Sequence, residues 1–402
     1  MFPLIKTIYD VYPAIEGCDE FKVSHREKDG IISIDYNVIK NETFPDFDGD
    51  SYIDNLYKIR RECRGIKFDI NTKEIISRPY HKFFNLGERQ KVEMDNIDWD
   101  KPFNILEKLD GSLIDTILIN NKITYCTKVG VNDDISPYIQ EFADRGVTII
   151  DGEKTRVFYN DFCYDLKKSG YTPIFEWCSP KNKIVLEYKN DNLILTGIRK
   201  TTTGKYLDYE DMVSMAKPYR VPVVKMYSGT FQGINEFIEE TKNKENEEGY
   251  VIRFKNGEMY KIKNLWYLQI HKTKEMINFE KDIWALCLKD MVDDIVPFME
   301  RDEANKLLRF KNKLEKNIEY RIKELKEIAE KGYEQTNGDI KKFSLEIVNK
   351  YPDAFKSFLF KIFNGYDIEQ DIRNFALKNT RSSTVLSRNH SLFYGLTWQN
   401  FE

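Results

Sequence analysis

Residues 248–263, Glu248-Gly249-Tyr250-Val251-Ile252-Arg253-Phe254-Lys255-Asn256-Gly257-Glu258-Met259-Tyr260-Lys261-Ile262-Lys263, read as a β-hairpin. Asn-Gly between two alternating runs is a strong hairpin signal, because both residues accept the left-handed backbone of a tight turn. With Asn256-Gly257 as a two-residue loop, Lys255 pairs with Glu258, Ile252 with Lys261 and Tyr250 with Lys263. Even-numbered positions of the first strand then share a face with Lys261 and Lys263. Glu248 joins that face one diagonal step from Lys263, within reach of long side chains. One acid and two lysines converge on this reading; a surface hairpin with charges alternating outward has the same pattern.

Three further motifs lie upstream. Glu107-Lys108-Leu109-Asp110-Gly111-Ser112 closes an apolar strand. A lysine, a spacer, an acid and a glycine recur by chance in about one chain in ten of this size. Chemically, the set suits a nucleophilic lysine at a strand end, with Gly111 letting the backbone turn tightly around a ligand. Asp110, two residues on, leaves an extended chain on the same face as Lys108. Phe175-Glu176-Trp177-Cys178 places an acid inside an apolar strand. An inward carboxylate needs a partner, which a ribose hydroxyl or a structural hydrogen bond supplies equally well. Glu62-Cys63-Arg64-Gly65 and Ser77-Arg78-Pro79-Tyr80-His81-Lys82-Phe83-Phe84-Asn85 offer two cations, one beside a glycine and one beside paired aromatics.

The spacing predicts an α+β region to about 284, with an N-terminal module over about 1–100, and then an all-helical domain over 285–402. The module mixes short strands such as 30–36 with the acidic loop Phe44–Asp50. Leu113–Ile119 and Lys122–Thr127 flank Asn120-Asn121 as a tight hairpin. Strands are also expected at Pro173–Cys178, Lys183–Tyr188 and Leu193–Ile198, and helices near 136–145, 207–217 and Gly233–Lys244. Past Phe279, Leu307, Phe310, Leu314, Ile318, Ile322, Leu325 and Ala329 recur at helical spacing. The neighbouring stripe of Lys306, Arg309, Lys313, Lys316 and Lys323 reads as a solvated face, balanced by Glu315, Glu319 and Glu324. Arg373–His390 is basic, with no acid among Arg373, Lys378, Arg381 and Arg388.

Composition narrows the class. Hydrophobic residues are 41% of the 402 and charged residues 32%, so a core can form under a charged surface. Lys+Arg 62 against Asp+Glu 66 gives a net charge of −4, which announces no nucleic-acid partner but can hide a basic groove. No apolar run reaches membrane-spanning length, and the start has no apolar signal core. Six cysteines at irregular intervals, without a CxxC pair, and only four histidines argue against a disulfide framework or a structural zinc site. These features suit a soluble protein of a reducing compartment.

In this order the motifs resemble the covalent nucleotidyltransferase superfamily of ligases and mRNA-capping enzymes. More narrowly they resemble phage-type ATP-dependent RNA ligase 1, the tRNA-repair family. No single motif specifies the family; the ordered set from about 60 to 272 carries the resemblance, continuing through Asn182-Lys183-Ile184-Val185-Leu186 and Asn264-Leu265-Trp266-Tyr267. It implies ATP-grasp-like antiparallel sheets with flanking helices, followed by a helical C-terminal domain that helps select RNA. It assigns Lys108 as the nucleophile that takes AMP, Arg64 and Lys82 to the outgoing β- and γ-phosphates, and Glu176 to the ribose. Lys261, Lys263 and Lys128 would contact phosphates, and Glu248 and Asp110 would serve a divalent metal. The family usually has Lys-Gly where this chain reads Thr127-Lys128-Val129-Gly130, a departure at the local turn.

The implied chemistry is ATP-dependent sealing of an RNA 5′-phosphate to a 3′-hydroxyl, with Mg²⁺ or Mn²⁺. Neighbouring cations would depress the pKa of Lys108, since an unperturbed lysine is protonated at neutral pH. The implied partners are single-stranded or nicked RNA, with tRNA the specific candidate, and an end-healing polynucleotide kinase-phosphatase acting upstream. The chain would act as a monomer in a host cytoplasm. DNA ligases and capping enzymes normally carry an OB-fold after the last motif, where this chain has helical periodicity. A non-catalytic RNA-end or nucleotide sensor retaining the fold is the rival reading. Phe84 and Tyr267, beside a cationic cleft, are candidates for stacking on RNA bases.

Overall fold

The computed structural model describes residues 2–401 apart from 38–39, 41, 48, 132–133, 151, 228–232 and 243. Asp48 of the acidic loop and Asn243 in the third expected helix lie outside the described residues. The chain divides into two units, Met1–Leu268 and Gln269–Glu402. The division falls inside the helix Leu265–Ile277, which follows the last strand at once, whereas the sequence spacing puts the boundary at about 284. No helix among the described residues is long and apolar enough to cross a membrane.

The first unit is α+β. Its N-terminal sheet has the order β1 (Phe21–Arg26), β2 (Ile31–Tyr36), β3 (Ile66–Asp69) and β4 (Ile75–Ser77), all antiparallel. Two further sheets enclose the region of interest. β5 (Phe84–Asn85) and β6 (Phe103–Glu107) form the edges of one, and β7 (Ser112–Ile119) and β8 (Lys122–Cys126) belong to the other. β9 (Val147–Ile150) and β10 (Glu153–Arg156) form a separate hairpin. β11 (Tyr171–Cys178) and β12 (Asn192–Lys200) complete the order β12-β11-β7-β8, hereafter the long sheet. β13 (Gly249–Phe254) and β14 (Met259–Lys263) complete the order β5-β14-β13-β6, the hairpin sheet, antiparallel except for the short β5–β14 pair.

Local chemistry explains these elements. Asn120 and Asn121 both take left-handed backbone (φ 51° and 57°), which closes β7 onto β8 with Ile119 opposite Lys122. Behind the long sheet, the helices Ser136–Arg145 and Tyr159–Lys168 bury Ile139, Phe142, Tyr159 and Phe162 against Phe175 and Trp177. The strand expected at Lys183–Tyr188 does not form. Those residues make a turn, because Val185 and Leu186 donate their backbone N–H groups to a carboxylate rather than to a neighbouring strand.

The 248–263 hairpin forms with a different register. Gly249 faces Lys263, Val251 faces Lys261 and Arg253 faces Met259. The loop has three residues, Lys255-Asn256-Gly257, closed by hydrogen bonds between Phe254 and both Glu258 and Gly257, with Gly257 at φ 90°. One extra loop residue flips every side chain of the strand to the other face.

In the second unit no strand occurs among the described residues. The long helix Arg301–Gln335 buries Leu307, Phe310, Leu314, Ile318, Leu325 and Ala329 in a core with Trp284, Phe355, Leu359, Ile372 and Phe393. Arg309, Lys313, Lys316 and Lys323 are solvent-exposed, as a charged helix face should be. Arg373 is not part of a free basic patch: it makes a two-pronged pair with Glu315 at 3.0 and 2.5 Å.

Candidate active site

Lys108 to Gly111 carry the chain from β6 in the hairpin sheet to β7 in the long sheet, so the motif stands where the two sheets separate. The backbone is fixed there. Lys108 N–H donates to the Gly249 carbonyl at 2.9 Å, and Gly111 lies so close to β11 that a Cβ would meet the Trp177 oxygen at 2.4 Å. Gly111 therefore allows a close approach that any side chain would block.

Glu248 lies between two lysines. Its Oε2 pairs with Lys108 Nζ at 2.7 Å and its Oε1 with Lys263 Nζ at 3.0 Å, although only 3% of the residue is exposed. The expected meeting of Glu248 and Lys263 occurs, but by another route. Gly249 takes φ 138° and bends the strand at its start, which turns Glu248 onto the face of Lys261 and Lys263 despite the shifted register. Only glycine fits this bend, since a Cβ would lie 1.9 Å from the Ile262 oxygen.

A cavity of about 220 Å³ opens beside Lys108. Arg64, Tyr80, Glu176, Val251, Arg253 and Lys261 line it, among others. Arg64 Nη1 is buried there with no hydrogen-bond partner, a donor poised for an anion. Burial, reinforced by Arg64, Lys82, Lys108 and Lys263, pushes the Lys261 ammonium down to about 7. Burial pushes the Glu176 carboxyl up to about 7, with Lys108 opposing and Glu248 adding to the shift. An acid and a base both poised near neutrality mark a cleft built for a charged ligand.

Lys82 and Lys128 stand apart from this cavity. Lys82 lines a neighbouring one of about 760 Å³ with Lys58 and Arg61; Phe83 and Met259 contribute to both walls. Both lysines lie against the Tyr36 ring, at 5.9 and 4.5 Å, and Lys128 Nζ pairs with Asp35 Oδ2 at 2.9 Å. The departure at Lys128-Val129-Gly130 is accommodated by a tight loop in which Thr127 and Gly130 exchange backbone hydrogen bonds. Gly65, at φ 83°, packs on the Lys128 backbone, where a Cβ would meet the carbonyl oxygen at 2.5 Å.

Asp110, expected to serve a metal, braces the loop that follows β11. Its Oδ2 accepts Val185 N–H at 2.8 Å and Leu186 N–H at 2.7 Å, and its Oδ1 accepts the Tyr267 hydroxyl at 2.8 Å, all in a residue 2% exposed. Its own N–H donates to Tyr188 Oη at 3.0 Å. Phe84 and Tyr267, each 2% exposed, are too buried to stack on bases. Among the described residues no group of three or more His, Cys, Asp or Glu could cage a metal. Arg253 was missed by sequence reasoning: it is buried, lines the cavity and has an unpartnered Nη2. The shifted register hid it by placing it on the wrong face.

The RNA ligase family model matches residues 62–267, a span that contains every one of these site residues except Asp35 and Tyr36 and the neighbouring Lys58 and Arg61. This chain belongs to the RNA ligase family. An RNA ligase of Rhodothermus phage RM378 is 24% identical over 372 residues, covering 78% of this chain and 82% of that one. A Thermovibrio ammonificans protein that carries a provisional RNA ligase name is 30% identical over 302 residues, 72% of this chain and 70% of its own. A solved variant of the Naegleria gruberi RNA ligase with ATP and Mn has 18% identity and a TM-score of 0.35, covering 43% of this chain and 52% of that chain. The RNA ligase match thus takes in the Lys108, Glu176, Glu248 and Lys261-Lys263 motifs in one span.

Proposed function

We propose that this RNA ligase uses ATP and works through a lysyl-AMP intermediate on Lys108. The observation that carries the reading is the convergence of Lys108, Lys261 and Arg64 on a small cavity that also presents Glu176, with Lys263 joined to Lys108 through Glu248. Lys108 Nζ loses a proton and bonds to the α-phosphorus of ATP, and pyrophosphate leaves with the electrons of the broken P–O bond. An RNA 5′-phosphate then attacks the same phosphorus, breaking the P–N bond. Finally an RNA 3′-hydroxyl attacks the activated 5′-phosphate, and AMP leaves as the strands join.

The chain's own residues account for most of this chemistry. Lys261 and Lys263 stabilise charge on the transferring phosphate, Arg64 and Lys82 hold the β- and γ-phosphates, and Lys128 is a further phosphate contact. Glu176 accepts from a ribose hydroxyl. Both Glu248 oxygens already engage ammonium groups and Asp110 is filled by its hydrogen bonds, so the donor set suits a hydrated Mg²⁺ or Mn²⁺ held through water near Glu248, not a direct carboxylate cage. Such a cation supplies charge neutralisation on the phosphates when bound. The physiological substrate in this reading is a broken tRNA, its ends prepared by a separate kinase-phosphatase, and the site of action is the cytoplasm.

The test is the intact mass of the chain after incubation with ATP and Mg²⁺, for the wild type and Lys108→Ala, starting from protein shown free of prior adenylation. The expected result is a gain of one AMP in the wild type alone. No adduct in either protein, with ATP still bound, would sink the reading and promote the nucleotide-sensor alternative.

A further inference from the structure

Two arginines and one glutamate form a buried knot beneath the two cations of the pyrophosphate side. Glu62 Oε2 accepts Arg78 Nε at 3.0 Å and Arg199 Nη1 at 2.7 Å, and Glu62 Oε1 accepts Arg199 Nη2 at 2.8 Å. The three side chains are at most 1% exposed. Burial works against ionisation of Glu62, but the two guanidinium groups outweigh it and hold its carboxyl well below the usual range. Every guanidinium nitrogen has a partner: Arg78 also reaches the Thr202 and Pro3 carbonyls, and Arg199 those of Gly204 and Pro79.

The knot stands two residues before Arg64 and four before Lys82. Arg64 N–H donates to the Glu62 carbonyl at 2.7 Å, and Lys82 N–H donates to the Arg61 carbonyl at 2.6 Å. The two segments that carry these cations are thus zipped to each other and, through Arg199 on β12, to the long sheet that carries Glu176. A buried ion pair gains little net stability over an apolar substitute, so a triad in which every guanidinium nitrogen has a partner is better explained by geometry it enforces.

We infer that Glu62, Arg78 and Arg199 are positioning residues for the pyrophosphate-side cations, and act on the step that releases pyrophosphate more than on the step that seals RNA. The inference rests on the assignment of Arg64 and Lys82 to the β- and γ-phosphates. Sealing of a pre-adenylated RNA involves neither phosphate, so the two half-reactions separate a positioning role from a general structural one.

The experiment compares the full chain with Glu62→Gln, Arg78→Lys and Arg199→Lys in three assays: lysyl-AMP formation from ATP, discharge of lysyl-AMP by added pyrophosphate, and sealing of pre-adenylated RNA. Expected is a fall of tenfold or more in the first two with less than a twofold change in the third; this ratio is independent of how much of each variant is folded. Equal losses in all three assays, no loss in any, or failure of all three variants to fold would each overturn the inference in favour of a purely architectural role. A wild type that forms no lysyl-AMP would instead refute the underlying ATP reading.

Discussion

The Tyr267 hydroxyl donates to Asp110 Oδ1 at 2.8 Å, joining a residue just past the Lys261-Ile262-Lys263 motif to one just past Lys108. Tyr267 also hydrogen-bonds Glu248, and its ring lies 4.9 Å from Lys263 Nζ. Burial and the carboxylates of Glu248 and Asp110 push its pKa up, which favours the protonated hydroxyl that donates here. Asn264, fully buried, starts the helix that carries it by accepting Tyr267 N–H at 2.7 Å.

Tyr267→Phe keeps the buried ring and removes the donor. We expect a stability loss of about 1–2 kcal/mol, and a roughly tenfold slower adenylation of Lys108 if the same energy is lost from the transition state. Thermal unfolding and intact-mass kinetics measure the two. Unchanged kinetics with lowered stability would confine the tyrosine to folding.

Lys261 supplies a pH signature. Its folded pKa of about 7 lies below the ordinary lysine value, so between pH 7 and 10 the folded chain binds fewer protons than the unfolded one, and its contribution to stability rises with pH across that window. Anionic ATP beside it would restore the charge. Binding at pH 8 should therefore take up as much as about one proton, seen calorimetrically in buffers of different ionisation enthalpy. In Lys261→Arg, always charged, that uptake should shrink; an equal uptake would assign it to another group.

Glu176 has the opposite sign. A folded pKa raised to about 7 means that stability falls as pH rises from the ordinary carboxylate range to about 7, because the folded state holds the proton that the unfolded state has lost. Glu176→Gln should flatten this decline and raise the melting temperature at pH 7.5 while weakening ATP binding. Denaturant titrations at pH 5 and pH 7.5 check the slope.

Gly249→Ala places a Cβ against the Ile262 oxygen at a backbone angle that L-residues rarely adopt. The expected cost is about 1–3 kcal/mol of strain, with a displaced Glu248 and loss of adenylation. A variant as stable and active as the wild type would refute the bend as the cause of the Glu248 position.

Asp115 and Lys67 form a fully buried pair at 2.6 Å that ties β7 to β3. Asp115→Asn leaves the lysine uncompensated, and unfolding should lose about 3–5 kcal/mol. A melting temperature within a degree of the wild type would show that the pair is dispensable.

Residue order made much of this legible. Asn120-Asn121 announces its turn, the helical spacing after residue 300 gives the long helix, and the site lysines and acids lie on motifs whose chemistry can be read directly. What escaped depends on geometry that sequence spacing does not encode. One additional loop residue before Met259 reversed the faces of the 248–263 strands and concealed Arg253. The 183–188 segment has strand-like residues, but Asp110 claims its N–H groups from far along the chain. Glu62 and Arg199 likewise meet only after the N-terminal module has docked on β12.

The pairing of β6 with β13 places Glu107 opposite Tyr250. On the ribosome, Lys108 therefore emerges long before β13, the partner of β6, and long before β14. The Lys108–Glu248–Lys263 arrangement can form only after residue 263 has emerged, so its assembly waits on a segment made about 150 residues later.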